Sequence, residues 1–122
     1  MGVVMSAAMG GLVVQPLATF RGIRHVPLLA ASRNSLFPSL EIGAEAVRIR
    51  VVGSQLLRYA ELEAVQLRRG LGHRLLFVPK TGIWTFSATF AGAGDAMRAL
   101  AALRAGGAPL DAAALAALDG TR

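Results

Sequence analysis

The stretch "IWTFSATFAGAGDAMRALAALRAGG", Ile83 to Gly107, changes its hydrophobic period halfway along, and that change decides the fold class. Over Trp84 to Phe90 the period is two. Trp84, Phe86, Ala88 and Phe90 share one face; Thr85, Ser87 and Thr89 share the other. Such alternation marks a half-buried antiparallel strand with its aromatic residues in the core. From Asp95 onward the spacing is helical, with Met97, Leu100, Ala101 and Leu103 on one stripe and Gly106-Gly107 as the stop. After Pro109, Asp111 is placed to cap a second short helix carrying Leu115 and Leu118.

Upstream of this stretch the strand period persists. "HRLLFV" reads as a strand, and "PKTG" supplies a hairpin turn, with Pro79 presetting φ and Gly82 free to take a positive one. "QLLRYAELEAVQLRR", Gln55 to Arg69, reads as a strand bounded by Gly53 and Gly70. In "AVRIRVVG", Ala46 to Gly53, Val47, Ile49 and Val51 face one way and Arg48 and Arg50 the other. "SLEI" is a short strand opened by Pro38; "TFRGIRHVPLLAA" adds one or two more, with Pro27 at an edge or bend. Strands first and helix last indicate a mainly β, α+β domain instead of an alternating parallel sheet. One domain spanning 1–122 is expected: an N-terminal extension with short strands over 1–32, a capping helix over 95–105 and a second helix over 110–119.

Charge and composition exclude several classes. With 54% hydrophobic and 16% charged residues the chain is not of the disordered class. It has no cysteine, which removes disulfides, thiolate metal sites and cysteine nucleophiles and fits a reducing, cytoplasmic compartment. The net charge of +6 comes almost wholly from arginines spread between Arg21 and Arg122, too dispersed for a nucleic-acid footprint. Residues Met1 to Phe20 carry no charged side chain, yet they lack the basic flank of a secretory signal, and Gly10-Gly11, Gln15 and Pro16 interrupt any membrane span. A strand through Leu12-Val13-Val14 is expected there. Gly2 and Ser6 match a myristoylation pattern too short to weigh on its own.

Taken together, "SLFPSLEIGAEAVRIRVVG", "YAELEAVQLRRG" and "GIWTFSATFAG" followed by "AMRALAAL" resemble a bacterial pleckstrin-homology-like domain from about Arg33 to Arg104. The resemblance implies a strongly bent antiparallel sheet, a partial barrel, capped at one end by the amphipathic helix. It also implies a possible anion contact at Arg48 and Arg50, since phosphate-binding members carry an Arg-x-Arg-like pair on the second strand. This sequence departs from that pattern in placing Glu41 and Glu45, not lysine, beside the pair, and carboxylates repel an anion. Polar-out alternation alone accounts for both arginines, with Glu61 or Glu63 on the following strand as candidate partners.

Other candidate sites resolve into structure. Gly92-x-Gly94 in "AGAGDAM" begins like a dinucleotide fingerprint, but Met97 stands where the third glycine belongs and no second strand follows; a strand-to-helix turn explains it. His25 and His73 have no acidic neighbour at metal-ligand spacing, and Arg74 beside His73 repels a cation. Asp95, Asp111 and Asp119 sit at helix ends. Trp84, with Lys80 and Arg74 across the hairpin, could form an aromatic-basic patch, but its phase with Phe86 and Phe90 places it in the core. No catalytic constellation, cofactor motif or metal site is expected. The function expected is a non-catalytic binding or assembly module, acting through homo-oligomerisation or a protein partner. The alternative is attachment to an anionic membrane surface through the arginines and the apolar N-terminus. An enzyme with an unrecognised pocket stands third.

Overall fold

A computed structural model describes residues 3–6, 11–23, 26–34, 38–51, 53–70 and 72–120, with the first and fourth strands described by their backbone alone. The strands are β1 Val3–Ser6, β2 Gly11–Val14, β3 Ala18–Ile23, β4 Val26–Asn34, β5 Ser39–Ile42, β6 Ala46–Val51, β7 Gly53–Arg58, β8 Leu62–Gly70, β9 Gly72–Pro79 and β10 Trp84–Phe90. Two helices follow, α1 Ala93–Ala105 and α2 Ala112–Gly120. The mainly β expectation is met. The strands form two antiparallel sheets, ordered β1-β2-β5-β6-β7 and β4-β3-β10-β9-β8, which are not joined into a closed barrel among the described residues.

The chain passes between the sheets at places the sequence marks. Between β2 and β3 it crosses through Gln15-Pro16-Leu17, where the Leu17 N–H already donates to the Thr89 carbonyl of the second sheet (2.8 Å). The segment expected as one strand from Gln55 to Arg69 is two, β7 and β8, split by a 3-10 turn at Tyr59–Glu61 that carries the chain from the first sheet to the second. The apolar phase slips by one between Tyr59 and Leu62 and again at the bulge between Leu62 and Ala64, slips that also fit a single bulged strand, which is why periodicity alone did not reveal the break. β2 and β3 are members of the two sheets, not outworks, and Pro27 sits in β4, an edge strand that can spare an amide donor.

Cross-strand register lines up the apolar residues. Val14, Leu40 and Ile49 form one row and Ile42, Val47 and Leu57 another, all buried. Facing them from the second sheet are the rows Phe86, Phe77, Val65 and Ala88, Leu75, Leu67. The Thr19 hydroxyl, itself buried, donates to the Arg50 carbonyl and ties β3 to β6. Trp84, expected in the core, is only half-buried at the start of β10, because the strand emerges there from the hairpin turn. That turn is Lys80 to Ile83, with Gly82 at φ 88° as expected.

Helix α1 lies against strands of both sheets and buries Ala96, Ala99, Leu100 and Leu103 completely. The expected stripe was Met97, Leu100, Ala101 and Leu103. Ala101 is exposed and Met97 half-buried, so the buried face is rotated toward Ala96 and Ala99, which with Leu100 and Leu103 fall at i, i+3, i+4 and i+7. Small side chains let the helix axis approach the sheets closely. The helix begins at Ala93, ahead of the expected Asp95, and ends in a Schellman motif: the Ala108 N–H donates to the Leu103 carbonyl (2.9 Å) and the Gly107 N–H to that of Arg104 (3.0 Å).

Pro109 to Asp111 then run beside β8, where the Val65 N–H donates to the Pro109 carbonyl (2.8 Å) and the Asp111 N–H to that of Val65 (2.9 Å). Asp111 caps α2 as expected, its Oδ1 accepting from the Ala114 N–H (2.8 Å). Ala114 and Ala117, however, make the buried face, whereas Leu115 is exposed and Leu118 half-buried.

Two adjacent glycines at the end of α1 are needed for different reasons. Gly106 has an ordinary helical φ of −82°, but a Cβ there would lie 2.6 Å from Cε2 of Tyr59 and 2.9 Å from the Ala44 carbonyl oxygen. Gly107 has open space around it and φ of 88°, which L-residues disfavour. Gly107→Ala should lower stability by about 1–2 kcal/mol with an unchanged tyrosine signal in near-ultraviolet circular dichroism. Gly106→Ala should cost about 1–3 kcal/mol by overpacking and should alter that signal. Thermal unfolding of the two variants checks both.

Candidate functional site

The outer face of the first sheet carries the arginine pair. Inward alternation of Val47, Ile49 and Val51 leaves Arg48 and Arg50 on the solvent side of β6. Arg48 stands across from Glu41 on β5 and Leu56 on β7; its Nη1 is 3.6 Å from Glu41 Oε1. Arg50 is exposed between Ser39 and Ser54. The partner carboxylate is therefore Glu41, not Glu61 or Glu63. Those two lie beyond the crossing, in the 3-10 turn and on β8 of the other sheet.

The residues gathered around Arg48 differ from those sequence reasoning proposed. A surface hollow of about 440 Å³ is lined by Arg48, Leu56, Arg58, Glu45, Tyr59 and Gly106, among others. Leu56 is 46% exposed at its edge. A second hollow, of about 340 Å³, lies on the other side of β7 and is lined by Leu57, Leu62 and Pro79 with Arg58, Glu61 and Lys80. Arg58 borders both. The signal for this arrangement was the doublet Leu56-Leu57: in a strand, one of two adjacent leucines must face away from the core.

Tyr59 anchors the wall of the first hollow. Its hydroxyl donates to the Gly43 carbonyl (2.6 Å), its N–H donates to the Glu45 carbonyl (2.9 Å), and its side chain is buried. Burial pushes the phenol up from 10.0 to about 12. The hydroxyl is thus held protonated and engaged, and joins the 3-10 turn to the β5–β6 turn.

The other candidates separate. Trp84 meets neither Lys80 nor Arg74; the Arg21 guanidinium stacks on its ring, 4.4 Å from the centroid. Arg74 lies over Phe20 at 5.9 Å, on the opposite face of the sheet. His73 is half-buried on β9, register partner of Phe90 and Arg69, while His25 and Gly2 fall outside the described residues. Gly92 is the N-cap of α1, so Gly92-x-Gly94 is a strand-to-helix turn. Asp95 pairs with Arg98 (2.9 Å) and Asp119 with Arg104 (3.6 Å). Among the described residues no group of three histidine, aspartate or glutamate side chains could hold a metal ion, and no helix is long and apolar enough to cross a membrane.

No protein-family model matches the chain, and no curated protein or solved structure matches it.

Two measurements follow from this geometry. The combined Arg48→Ala and Arg50→Ala variant should change stability by no more than about 1 kcal/mol, as a long ion pair whose arginine reaches solvent contributes little; urea unfolding reads this directly. Tyr59 is the sole tyrosine, so tyrosinate absorbance titrates it alone. Because the folded state holds its proton more tightly, stability is undiminished below pH 10 and falls as pH rises through about 12. Tyr59→Phe should cost about 1 kcal/mol at neutral pH through the lost hydrogen bond and flatten that alkaline decline.

Proposed function

We propose that this chain is a non-catalytic association module of the pleckstrin-homology-like kind, acting on a protein partner or a second copy of itself. Two antiparallel sheets with a C-terminal helix against both support the fold part of this reading. One observation carries the association part: the first sheet ends at β7, whose Ser54, Leu56 and Arg58 are exposed on a strand that pairs only with β6 among the described residues. An open edge of this kind offers ready-made hydrogen-bonding positions to another chain. Among the described residues Glu41–Arg48, Asp95–Arg98 and Arg104–Asp119 form separate ion pairs.

Light scattering on the size-separated protein and flotation on anionic vesicles distinguish this reading from surface attachment to a membrane. The expected outcome is a defined complex, with itself or an added protein ligand, and no flotation. A monomer that floats with anionic vesicles, and loses that behaviour at high salt, would transfer the function to the membrane alternative.

A further inference from the structure

We infer that the free edge of β7 is a docking site for an extended segment of another protein in which acidic and apolar residues alternate. This rests on the association reading above and names its site and partner. The direction of the free groups follows from one hydrogen bond. The Tyr59 N–H donates to the Glu45 carbonyl, and antiparallel alternation from that pair makes Val47/Leu57 and Ile49/Gln55 the hydrogen-bonded pairs of the β6–β7 ladder. The N–H and C=O groups of Ser54, Leu56 and Arg58 therefore point away from β6 and have no backbone partner among the described residues.

The two hollows specify the side chains. Successive residues of a strand laid along β7 project to opposite faces. On the outer face they meet Arg48, Leu56 and Arg58, with Glu45 beside them; on the other they meet the rims of Leu57, Leu62 and Pro79, together with Glu61 and Lys80. Arg48, Arg58 and, further along the same face, Arg50 outnumber Glu41 and Glu45, so the outer set is net positive and calls for carboxylates. In the second set Glu61 and Lys80 offset one another, and the leucine and proline rims call for apolar residues. A second copy joined through β7 is the poorer occupant, because it would bring Arg48, Arg50 and Arg58 of both chains onto one continuous face of molecules already at +6. The edge of β8 is a poorer site, since the chain's own Pro109–Asp111 segment occupies it at Val65.

The test uses the full chain, a short synthetic peptide alternating glutamate with valine, and its lysine-valine counterpart. Calorimetry should show binding of the glutamate peptide, weakening as salt is raised, and none of the lysine peptide. Hydrogen exchange at the Leu56 amide should slow only in the complex. Leu56→Pro removes an outward N–H without touching the β6 ladder, and should weaken binding by about tenfold or more. Arg58→Glu, on an exposed side chain, gives a second variant that keeps the fold and should weaken it too. Equal binding of both peptides, or unchanged affinity in either folded variant, overturns the inference. A defined oligomer that persists in Leu56→Pro while the peptide fails to bind overturns the inference and leaves the association reading standing; flotation on anionic vesicles without peptide binding overturns both.

Discussion

Two sheets that each have one apolar face leave a gap between them, and the rest of the structure depends on how α1 fills it. Leu100 and Leu103 supply the bulk, and Ala96 and Ala99 let the helix backbone come close. A longer side chain at either alanine would hold the helix off and expose Phe77, Phe90 and Leu40, the largest fully buried residues. The end of the helix is placed just as tightly. Gly106 rests on the Tyr59 ring and on the Ala44 carbonyl, while the Tyr59 hydroxyl reaches Gly43. Helix, sheet crossing and β5–β6 turn are thereby held at one junction.

What the core takes in determines what the surface shows. Burial of Val47, Ile49 and Val51 obliges Arg48 and Arg50 to face outward, and the same register sets Glu41 beside Arg48. A strained or buried arginine would signal a built anion site; these two are an exposed residue and a partly exposed one in a long ion pair. Their importance is collective. With Arg58 they outnumber Glu41 on the outer face beside β7, next to an edge whose backbone groups have no partner among the described residues.

The crossing at Tyr59 separates the two halves of the molecule and creates that edge. Because the chain leaves the first sheet after Arg58, β7 gains no further neighbour in sequence, and β8 starts afresh in the second sheet. The second sheet ends differently: Pro109 to Asp111 return to β8 and partly cover it. Two edges of similar origin thus differ, one partly covered from within and one unpaired among the described residues.

Local pattern was enough for much of this. Alternation in Val47–Val51 and Trp84–Phe90, the Gly106-Gly107 stop, the Asp111 cap and the Gly82 turn are written in residues whose backbone preferences act over a few positions, and these elements stand where the pattern places them. Three matters were decided only by tertiary structure. Alanine is neither strongly apolar nor polar, so whether Ala96 and Ala99 or Met97 and Ala101 face the core depends on how near the sheets lie. The strand period slips by one residue between Tyr59 and Leu62, a slip that a bulge within one strand would also produce, so the crossing is fixed by where the ring and hydroxyl find space and a carbonyl. The partner of Arg48 depends on which strand lies beside β6, and strand neighbours are set by long-range packing that no window of sequence contains.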